Sequence, residues 1–340
     1  MHLKKLLITS TIIAATSISN NTVADIKVSG EQEWNYLDAG GSFKSTLGSS
    51  TSFTFTGTGD LSNGISYLVK FTLEDGDQSY RVITFDLGSG LKLGIGYDQS
   101  YGIETVKAIS PYVNNRRAHI TGAHRGFPTA ARKPLGPDVW DTSSLENAIG
   151  LSFKNDLAAI SFGFTPVRDV NTSTDEIAAS SATSSEYGTA SSIGVKLTPV
   201  DGLTIGFGTS SEESDATANS DPKGTTIGFQ YKIGSFAIGY QEIENELDDT
   251  TTQRVTTTEI QEGGVAYKVN DALTIGVFAA NINYLTVNTD NGVETGMGIV
   301  QVGYNLGPAV IQYDYADGSD LNSTKDTEYE IHKLKVKVQF

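Results

Sequence analysis

The last residues of the chain alternate strictly between apolar and polar side chains. Leu334, Val336, Val338 and Phe340 occupy one set of positions, and Lys333, Lys335, Lys337 and Gln339 occupy the other. A period of two places the two sets on opposite faces of a β-strand. The alternation therefore predicts a strand with an apolar face toward lipid or a core and a charged face toward water.

The same alternation recurs along most of the chain and predicts sixteen strands. Their apolar positions fall within residues 26–36, 53–55, 65–73, 83–87, 91–97, 149–153, 160–164, 193–197, 203–207, 227–233, 236–240, 265–269, 273–277, 300–306, 311–315 and 334–340. An even number of strands is what bacterial single-chain membrane barrels have. A sheet within lipid has to close on itself, because every backbone polar group there needs a partner.

The predicted connections alternate between short and long. Short turns are expected at 62–64, 88–90, 155–156, 201–202, 234, 270–271 and 307–308, where Gly, Asn and Asp suit the positive φ angles of tight hairpins. The other connections are longer and rich in Ser, Thr, Asp and Glu, such as 169–186 and 210–221. In outer-membrane barrels the short turns face the periplasm and the long loops face outward. A soluble β-sandwich has no reason to separate its connections in this way.

Aromatic residues recur near the ends of the predicted strands. The set comprises Tyr97, Phe153, Phe164, Phe207, Tyr240, Tyr304, Tyr313 and Tyr315. Such rings form girdles where a barrel leaves the bilayer. The alternative interpretation is ordinary β propensity, which enriches the same residue types.

The N-terminus has the order of a secretory signal peptide. Lys4 and Lys5 precede an apolar run over 6–15 and a small-residue site that ends at Ala24. The run is shorter than the ~20 residues of a membrane-spanning helix. We therefore expect residues 1–24 to be a signal peptide and residues 25–340 to form one domain.

Composition excludes several classes of function. Loss of the two signal lysines would lower the formal net charge from −16 to −18, which argues against nucleic-acid binding. The chain has no cysteine, so neither disulfides nor thiolate chemistry are available. Only 38% of residues are hydrophobic, which suits a barrel with a polar lumen better than a large soluble domain.

Three segments resemble a known family. They are the opening stretch 25–30 (Asp-Ile-Lys-Val-Ser-Gly), the strand 91–96 (Leu-Lys-Leu-Gly-Ile-Gly), and the ending 335–340 (Lys-Val-Lys-Val-Gln-Phe). Together with the overall arrangement, they make the chain similar to the general diffusion porins of Gram-negative outer membranes. The resemblance implies a closed antiparallel transmembrane β-barrel of sixteen strands, a homotrimer, and passage of small hydrophilic solutes and ions without enzymatic activity. It also implies recognition by the barrel-assembly machinery through the strand that ends at Phe340.

The longest connection, roughly 98–146, corresponds to the family loop that folds into the lumen and narrows it. Its candidate constriction residues are Glu104, Lys107, Arg116, Arg117, His119, His124, Arg125, Arg132 and Lys133. Between 105 and 137 the segment carries six Lys and Arg and no acid. Positive groups in a restricted passage favour anions. The alternative is a surface cluster that binds lipopolysaccharide phosphates or a neighbouring subunit. Enteric family members place acids on this loop, whereas this chain places bases there. The sequence therefore does not decide which wall charges face the loop.

Charged residues on the polar faces of strands are the candidate lumen-wall residues. They are Glu31, Lys70, Glu74, Lys92, Lys196, Lys232, Lys268, Lys335 and Lys337. The lysines lie near the short turns, whereas acids such as Glu212, Glu242, Glu244, Glu246, Asp314 and Asp317 are expected at or in the long loops. The pattern predicts a basic periplasmic end and an acidic outer rim, where weak Ca²⁺ or Mg²⁺ binding and contact with lipopolysaccharide are expected. Solvation of the loops explains the acids equally well.

Residues for catalysis are not arranged in a recognisable way. The sequence has four histidines, but no Gly-x-Ser-x-Gly motif, phosphate-binding loop or metal-ligating histidine pair. Two alternatives to a channel remain at this point. One is a structural or adhesive surface protein, and the other is an outer-membrane hydrolase. A conductance measurement separates a channel from an adhesin.

Overall fold

The computed structural model describes residues 25–39, 45–75, 77–97, 101–106, 109, 148–165, 189–213, 223–249, 254–286, 294–319 and 328–340. Sixteen strands run along the described residues: β1 Asp25–Ala39, β2 Thr46–Asp60, β3 Ser66–Glu74, β4 Asp77–Gly88, β5 Leu91–Tyr97, β6 Ala148–Lys154, β7 Ala158–Thr165, β8 Ala190–Leu197, β9 Leu203–Glu212, β10 Lys223–Ile233, β11 Phe236–Asp249, β12 Arg254–Lys268, β13 Leu273–Thr286, β14 Glu294–Leu306, β15 Ala309–Ser319 and β16 Glu328–Gln339. One 3-10 turn, Gly102–Val106, follows β5. The described residues include no helix with the length and apolarity to cross a membrane.

Each strand pairs antiparallel with its neighbours in sequence, and β1 closes the barrel against β16. The predicted closed sixteen-stranded antiparallel barrel is therefore confirmed. At the seam between β1 and β16, Glu31 lies opposite Gln339 and Tyr36 opposite Leu334. Closure satisfies the edge groups that an open sheet would leave unpaired.

Short turns gather at one end of the barrel, which we call the turn end. They connect β2 to β3, β4 to β5, and so on to β14 and β15. Gly64, Gly202, Gly234 and Gly307 have positive φ angles in these turns, between 57° and 83°. Glycine adopts this region without the steric cost that a Cβ brings. In the turns at 61–65 and 155–158, the side chains of Asn63 and Asn155 accept hydrogen bonds from backbone N–H groups.

Side chains along each strand alternate between the outward face of the barrel and the lumen. Outward positions near the turn end are apolar and exposed on the isolated chain, including Val28, Ile227 and Val277, each more than half exposed. Aromatic residues flank this apolar band on both sides. Tyr67, Phe153, Tyr231, Phe236, Tyr267 and Tyr304 lie toward the turn end, and Trp34, Tyr36, Phe164, Tyr240 and Tyr315 lie away from it. This arrangement is that of a lipid-facing belt with two interfacial girdles.

Beyond the second girdle the polarity of β11 to β16 reverses. There the outward residues are polar or acidic, such as Glu242, Glu244 and Asn281, while the inward ones are apolar and buried. The inward set is Ile243, Ile260, Phe278, Ala280, Ile282, Met297, Ile299, Ala316 and Ile331. These strand halves therefore stand above the hydrocarbon, with water outside and an apolar cluster inside. By the general orientation of outer-membrane barrels, they are the extracellular part.

The reversal corrects one expectation from the sequence. Glu242, Glu244 and Glu246 were expected at or in a long loop, but they lie on β11. Asp314 lies within β15, buried on its inward face. The sequence pattern did not predict a strand here, because few apolar residues alternate with the glutamates. Those few lie on the inward face, whereas the apolar residues near the turns lie on the outward face.

Candidate functional site

The lumen is the candidate site, and the start of the long connection after β5 lies inside it. Tyr101, the 3-10 turn and Ile109 pack against inward-facing residues of β5 to β11, and we call residues 101–106 and 109 the anchor segment. The ring of Tyr101 covers Gly94 and Gly150, so closely that a Cβ at either glycine would overlap it. The aromatic ring thus takes the space of the missing side chains.

Wall side chains hold the backbone of the anchor segment. Ser161 accepts a hydrogen bond from Gly102 N at 2.8 Å, and Ser192 accepts one from Ile103 N at 3.3 Å. Both serines face inward, and the pairing of β7 with β8 places Ser161 opposite Gly194 and Ser192 opposite Gly163. Polar backbone groups that leave the sheet and enter a restricted space need such partners.

Gln241 on β11 closes the other end of the anchor segment. Its Oε1 accepts from Ile109 N at 3.0 Å, and its Nε2 donates to Val106 O at 3.0 Å and to Thr226 Oγ1 at 2.8 Å. Gln230 on β10 donates to Ile109 O at 3.0 Å. Gln241 is fully buried, so its amide serves the anchor segment rather than water.

Apolar contacts complete the attachment. Ile103, Val106 and Ile109 are buried and lie over Gly206 and Gly208 on β9, where a Cβ would overlap their side chains. The three residues belong to the same buried apolar cluster that continues along the extracellular halves of β11 to β16. The anchor segment therefore occupies part of the lumen cross-section on the β5–β11 side.

Of the nine predicted constriction residues, the structure describes one. Glu104 lies in the 3-10 turn and is partly buried inside the barrel. Lys107, Arg116, Arg117, His119, His124, Arg125, Arg132 and Lys133 fall outside the described residues. Their role at a constriction stays a prediction.

All nine predicted lumen-wall residues lie at inward positions of the register. Glu31 and Lys337 form an ion pair across the seam, and Lys335 Nζ lies 2.8 Å from Glu33 Oε1. Lys70 and Glu74 are inward on β3, and Ser50 donates to Glu74 at 3.0 Å. Lys92, Lys196, Lys232 and Lys268 are inward on β5, β8, β10 and β12, all close to the turn end.

Of the four lysines on β5, β8, β10 and β12, Lys92 and Lys268 also have acidic neighbours. Lys268 lies 2.8 Å from Asp271 in the following turn, and this hydrogen bond lowers the pKa of Asp271 below its ordinary value. Lys92 lies opposite Asp86 in the register of β4 and β5. Charges at the turn end are therefore compensated on some strands and not on others.

Sequence reasoning missed several inward charged and polar residues. Lys27 and Lys154 lie at inward positions near the turn end, and Lys154 comes directly before the turn at 155–157. Asp314 accepts hydrogen bonds from Gln301 at 3.1 Å and Gln312 at 2.9 Å on the wall of β14 and β15. The alternation that identified the other wall residues contains Lys154, but the buried amides give no sequence signal because Gln is equally common on exposed faces.

The part of the chain that the structure describes offers no metal site of its own. No group of three or more His, Cys, Asp or Glu there could hold an ion. The chemistry of the described lumen is that of a charged, hydrogen-bonding passage.

A closed sixteen-stranded barrel with an apolar belt, two aromatic girdles and a charged lumen defines a channel of the outer-membrane type. A family model described as Gram-negative porin matches residues 9–321. The chain belongs to the Gram-negative porin family, whose fold is that of a non-enzymatic channel in the outer membrane. No curated protein sequence matches the chain.

Solved porin structures share this fold. Salmonella typhi OmpF in complex with daunomycin has a TM-score of 0.66 at 12% identity, over 93% of this chain and 98% of that chain. An anion-selective porin from Comamonas acidovorans has a TM-score of 0.64 at 12% identity, over 93% and 100%. In-vitro folded OmpT of Vibrio cholerae in its trimer form has a TM-score of 0.62 at 13% identity, over 93% and 99%. At these identities the likeness concerns the fold alone.

Proposed function

We propose that this porin lets small hydrophilic solutes and ions diffuse passively through a water-filled lumen, with a preference for anions. The observation that carries the preference is the sorting of charge along the wall. Among the described residues, inward lysines at the turn end lie on β1, β5, β6, β8, β10, β12 and β16. The two on β16, Lys335 and Lys337, are paired with the inward acids Glu33 and Glu31. The other inward acids near that end are Asp60 and Asp86, so the lysines are in excess. Fixed positive charge in a passage with low-dielectric walls raises the local concentration of anions.

The net acidity of the chain does not oppose this preference. Many of the acids face outward on the extracellular halves of the strands, as Glu242, Glu244, Glu259, Asp317 and Glu330 do. Charges on the far side of the wall are screened from the lumen, because the Debye length is about 8 Å at physiological ionic strength. The lumen face, rather than the net charge, sets the selectivity.

The test is the reversal potential of the purified protein in a planar bilayer under a KCl gradient. A potential whose sign corresponds to chloride permeability above potassium permeability supports the proposal, and the opposite sign contradicts the preference. A bilayer that stays non-conducting in the presence of the folded barrel contradicts the channel itself. It would favour the structural or adhesive alternative.

The basic residues of the long connection supply a second variant for the same measurement. Replacing Arg116, Arg117 and Arg125 with Gln should lower the ratio of anion to cation permeability if they line the passage. Unchanged reversal potentials would assign the preference to the strand lysines alone.

We also propose that the protein works as a homotrimer and reaches the membrane after removal of residues 1–24. The trimer form of a structural neighbour supports the first part, and the order of residues 4–24 supports the second. Light scattering of the detergent-solubilised protein gives the number of chains. Mass spectrometry of the exported protein shows whether it begins at Asp25.

Contacts with the outer leaflet and the assembly machinery complete the proposal. We propose that outward acids on β11 and β12 bridge to lipopolysaccharide through weakly bound Ca²⁺ or Mg²⁺. The strand that ends at Phe340 is proposed as the segment that the barrel-assembly machinery recognises. Calcium-dependent co-purification of lipopolysaccharide, and export of a chain without Phe340, test the two parts separately.

A further inference from the structure

Three lysines at the turn end lie close together without an acidic partner. Lys154 on β6, Lys196 on β8 and Lys232 on β10 face the lumen, and we call them the lysine cluster. Lys196 experiences electrostatic repulsion from both of the others. No Asp or Glu oxygen of the described residues lies within 4 Å of any of the three ammonium groups, although Asp156 and Asp201 lie in the adjacent turns.

The register places Lys196 between the other two lysines along the wall. Lys154 lies opposite Ala159, and Ala159 lies opposite Lys196 on its other side, so two strand spacings of about 5 Å each separate the lysines. Lys196 lies opposite Gly206 on β9, Gly206 lies opposite Gly228 on β10, and Lys232 comes four residues after Gly228, nearer the turn. The inward residues directly beside Lys196 are thus Ala159 and Gly206. They leave the long side chains free to lean toward one another over the wall.

Uncompensated cations in one place cost folding free energy through mutual repulsion. Elsewhere on the same wall the chain avoids that cost, since Lys335 and Lys337 bind Glu33 and Glu31, and Lys268 binds Asp271. A lysine ammonium donates three hydrogen bonds and acts as a point charge toward phosphate oxygens. Three of them along one stretch of the lumen wall, with Lys196 in the middle, match an extended anion that carries several negative oxygens.

We propose that the lysine cluster is a weak binding site for soluble multivalent anions, of the polyphosphate or polycarboxylate class, at the periplasmic end of the lumen. This inference rests on the proposed channel and specifies where its anion preference becomes binding. The site retains multivalent anions more than chloride, because only a multivalent anion meets more than one lysine at a time. Binding stays weak, which lets the solute leave, as conduction requires.

The experiment is block of the KCl current by sodium tripolyphosphate in a planar bilayer. The test variant carries Lys154→Gln, Lys196→Gln and Lys232→Gln. The matched control carries Lys27→Gln, Lys92→Gln and Lys268→Gln, which removes the same formal charge from inward positions at the same end. We expect saturable block of the unmodified channel, a half-blocking concentration at least about tenfold higher in the test variant, and a shift of about threefold or less in the control.

Two results would overturn the inference: no saturable block of the unmodified channel, or a shift in the test variant no larger than that in the control. Both variants are first checked as closed barrels by their heat-modifiable mobility on gels. If the triple variant does not close, Lys196→Gln alone, the central member, takes its place with Lys92→Gln as its control. Reversal potentials on the same membranes keep the two proposals distinguishable. An intact anion preference with failed block rejects the cluster alone, whereas a cation preference rejects the proposed selectivity whatever the block shows.

Discussion

The ring of Phe340 lies over Gly30 at the seam of the barrel, in the space that a Cβ of residue 30 would fill. The two residues also exchange backbone hydrogen bonds, Gly30 N to Phe340 O at 2.7 Å and Phe340 N to Gly30 O at 2.9 Å. Phe53 on β2 meets the same ring edge-on, with centroids 6.0 Å apart. The terminal aromatic residue therefore locks the last strand onto β1 and β2 on the lipid-facing side.

Replacing Gly30 with Leu should impair closure of the barrel. The Leu side chain would occupy the site of the Phe340 ring, and the ring would have to leave its contact with Phe53. We expect a smaller fraction of heat-modifiable, closed barrel after refolding into detergent, and a lower unfolding temperature for that fraction.

The control is Gly57→Leu, since Gly57 also faces outward, on the neighbouring strand β2, with nothing within 4 Å of its Cβ position. It should refold like the unmodified chain. Equal yields of closed barrel for Gly30→Leu and Gly57→Leu would show that the contact between Gly30 and Phe340 is dispensable.

Gly194 on β8 should be needed to seat the anchor segment. A Cβ there would overlap the carbonyl oxygen of Gly102, a backbone atom that cannot rotate away. Gly194→Leu should therefore displace the segment from the wall and change the single-channel conductance, with an increase if the passage widens. Gly48→Leu is the matched control, because Gly48 also faces the lumen but has open space around its Cβ position. A Gly194→Leu channel with unmodified conductance would contradict the role of the anchor segment in narrowing the lumen.

Gln241 should stabilise the anchor segment locally rather than the whole barrel. Gln241→Ala leaves Ile109 N–H and Val106 C=O without this partner, at a cost of about 1–3 kcal/mol. The amide of Ile109 should then exchange its hydrogen about 5 to 150 times faster, since 1.4 kcal/mol corresponds to a factor of ten. Gln261→Ala is the control, because Gln261 faces outward and bonds only to Glu242 among the described side chains. Unchanged exchange at Ile109 would show that Gln241 does not hold the segment.

The lumen wall was predictable because its signal is local. A strict period of two decides which side chains face water, so Lys92, Lys196, Lys232 and Lys268 could be placed on the inward face from the sequence. The extracellular halves of β11 to β13 were missed for the same reason. There the apolar residues change to the opposite face, as at Ile260 and Phe278, and no longer continue the period that begins near the turns.

The attachment of the anchor segment was not predictable from the sequence. Gln241 and Ile109 are 132 residues apart in the chain, and Ser192 and Ile103 are 89 apart. Such pairs depend on the closed barrel bringing distant strands around one lumen. Gly150 and Gly208 make room for the segment, but from the sequence alone a glycine in a strand indicates only a weak strand former.

The ion pair between Lys335 and Glu33 should stabilise the seam of the barrel. Both side chains are mostly buried, 14% and 16% exposed, so removal of one partner leaves a charge poorly solvated. Lys335→Met should lower the free energy of unfolding by about 1–3 kcal/mol, and the further change Glu33→Gln should restore part of it because no unpaired carboxylate remains. Urea unfolding followed by tryptophan fluorescence, to which Trp34 on β1 at this seam contributes, measures both values. Lys268→Met is the control, since its partner Asp271 is fully exposed, and it should leave the unfolding curve unchanged. A double variant less stable than Lys335→Met would mean that Glu33 stabilises the seam through its other contacts, such as the hydrogen bond from Asn35 at 2.9 Å, rather than through the lysine.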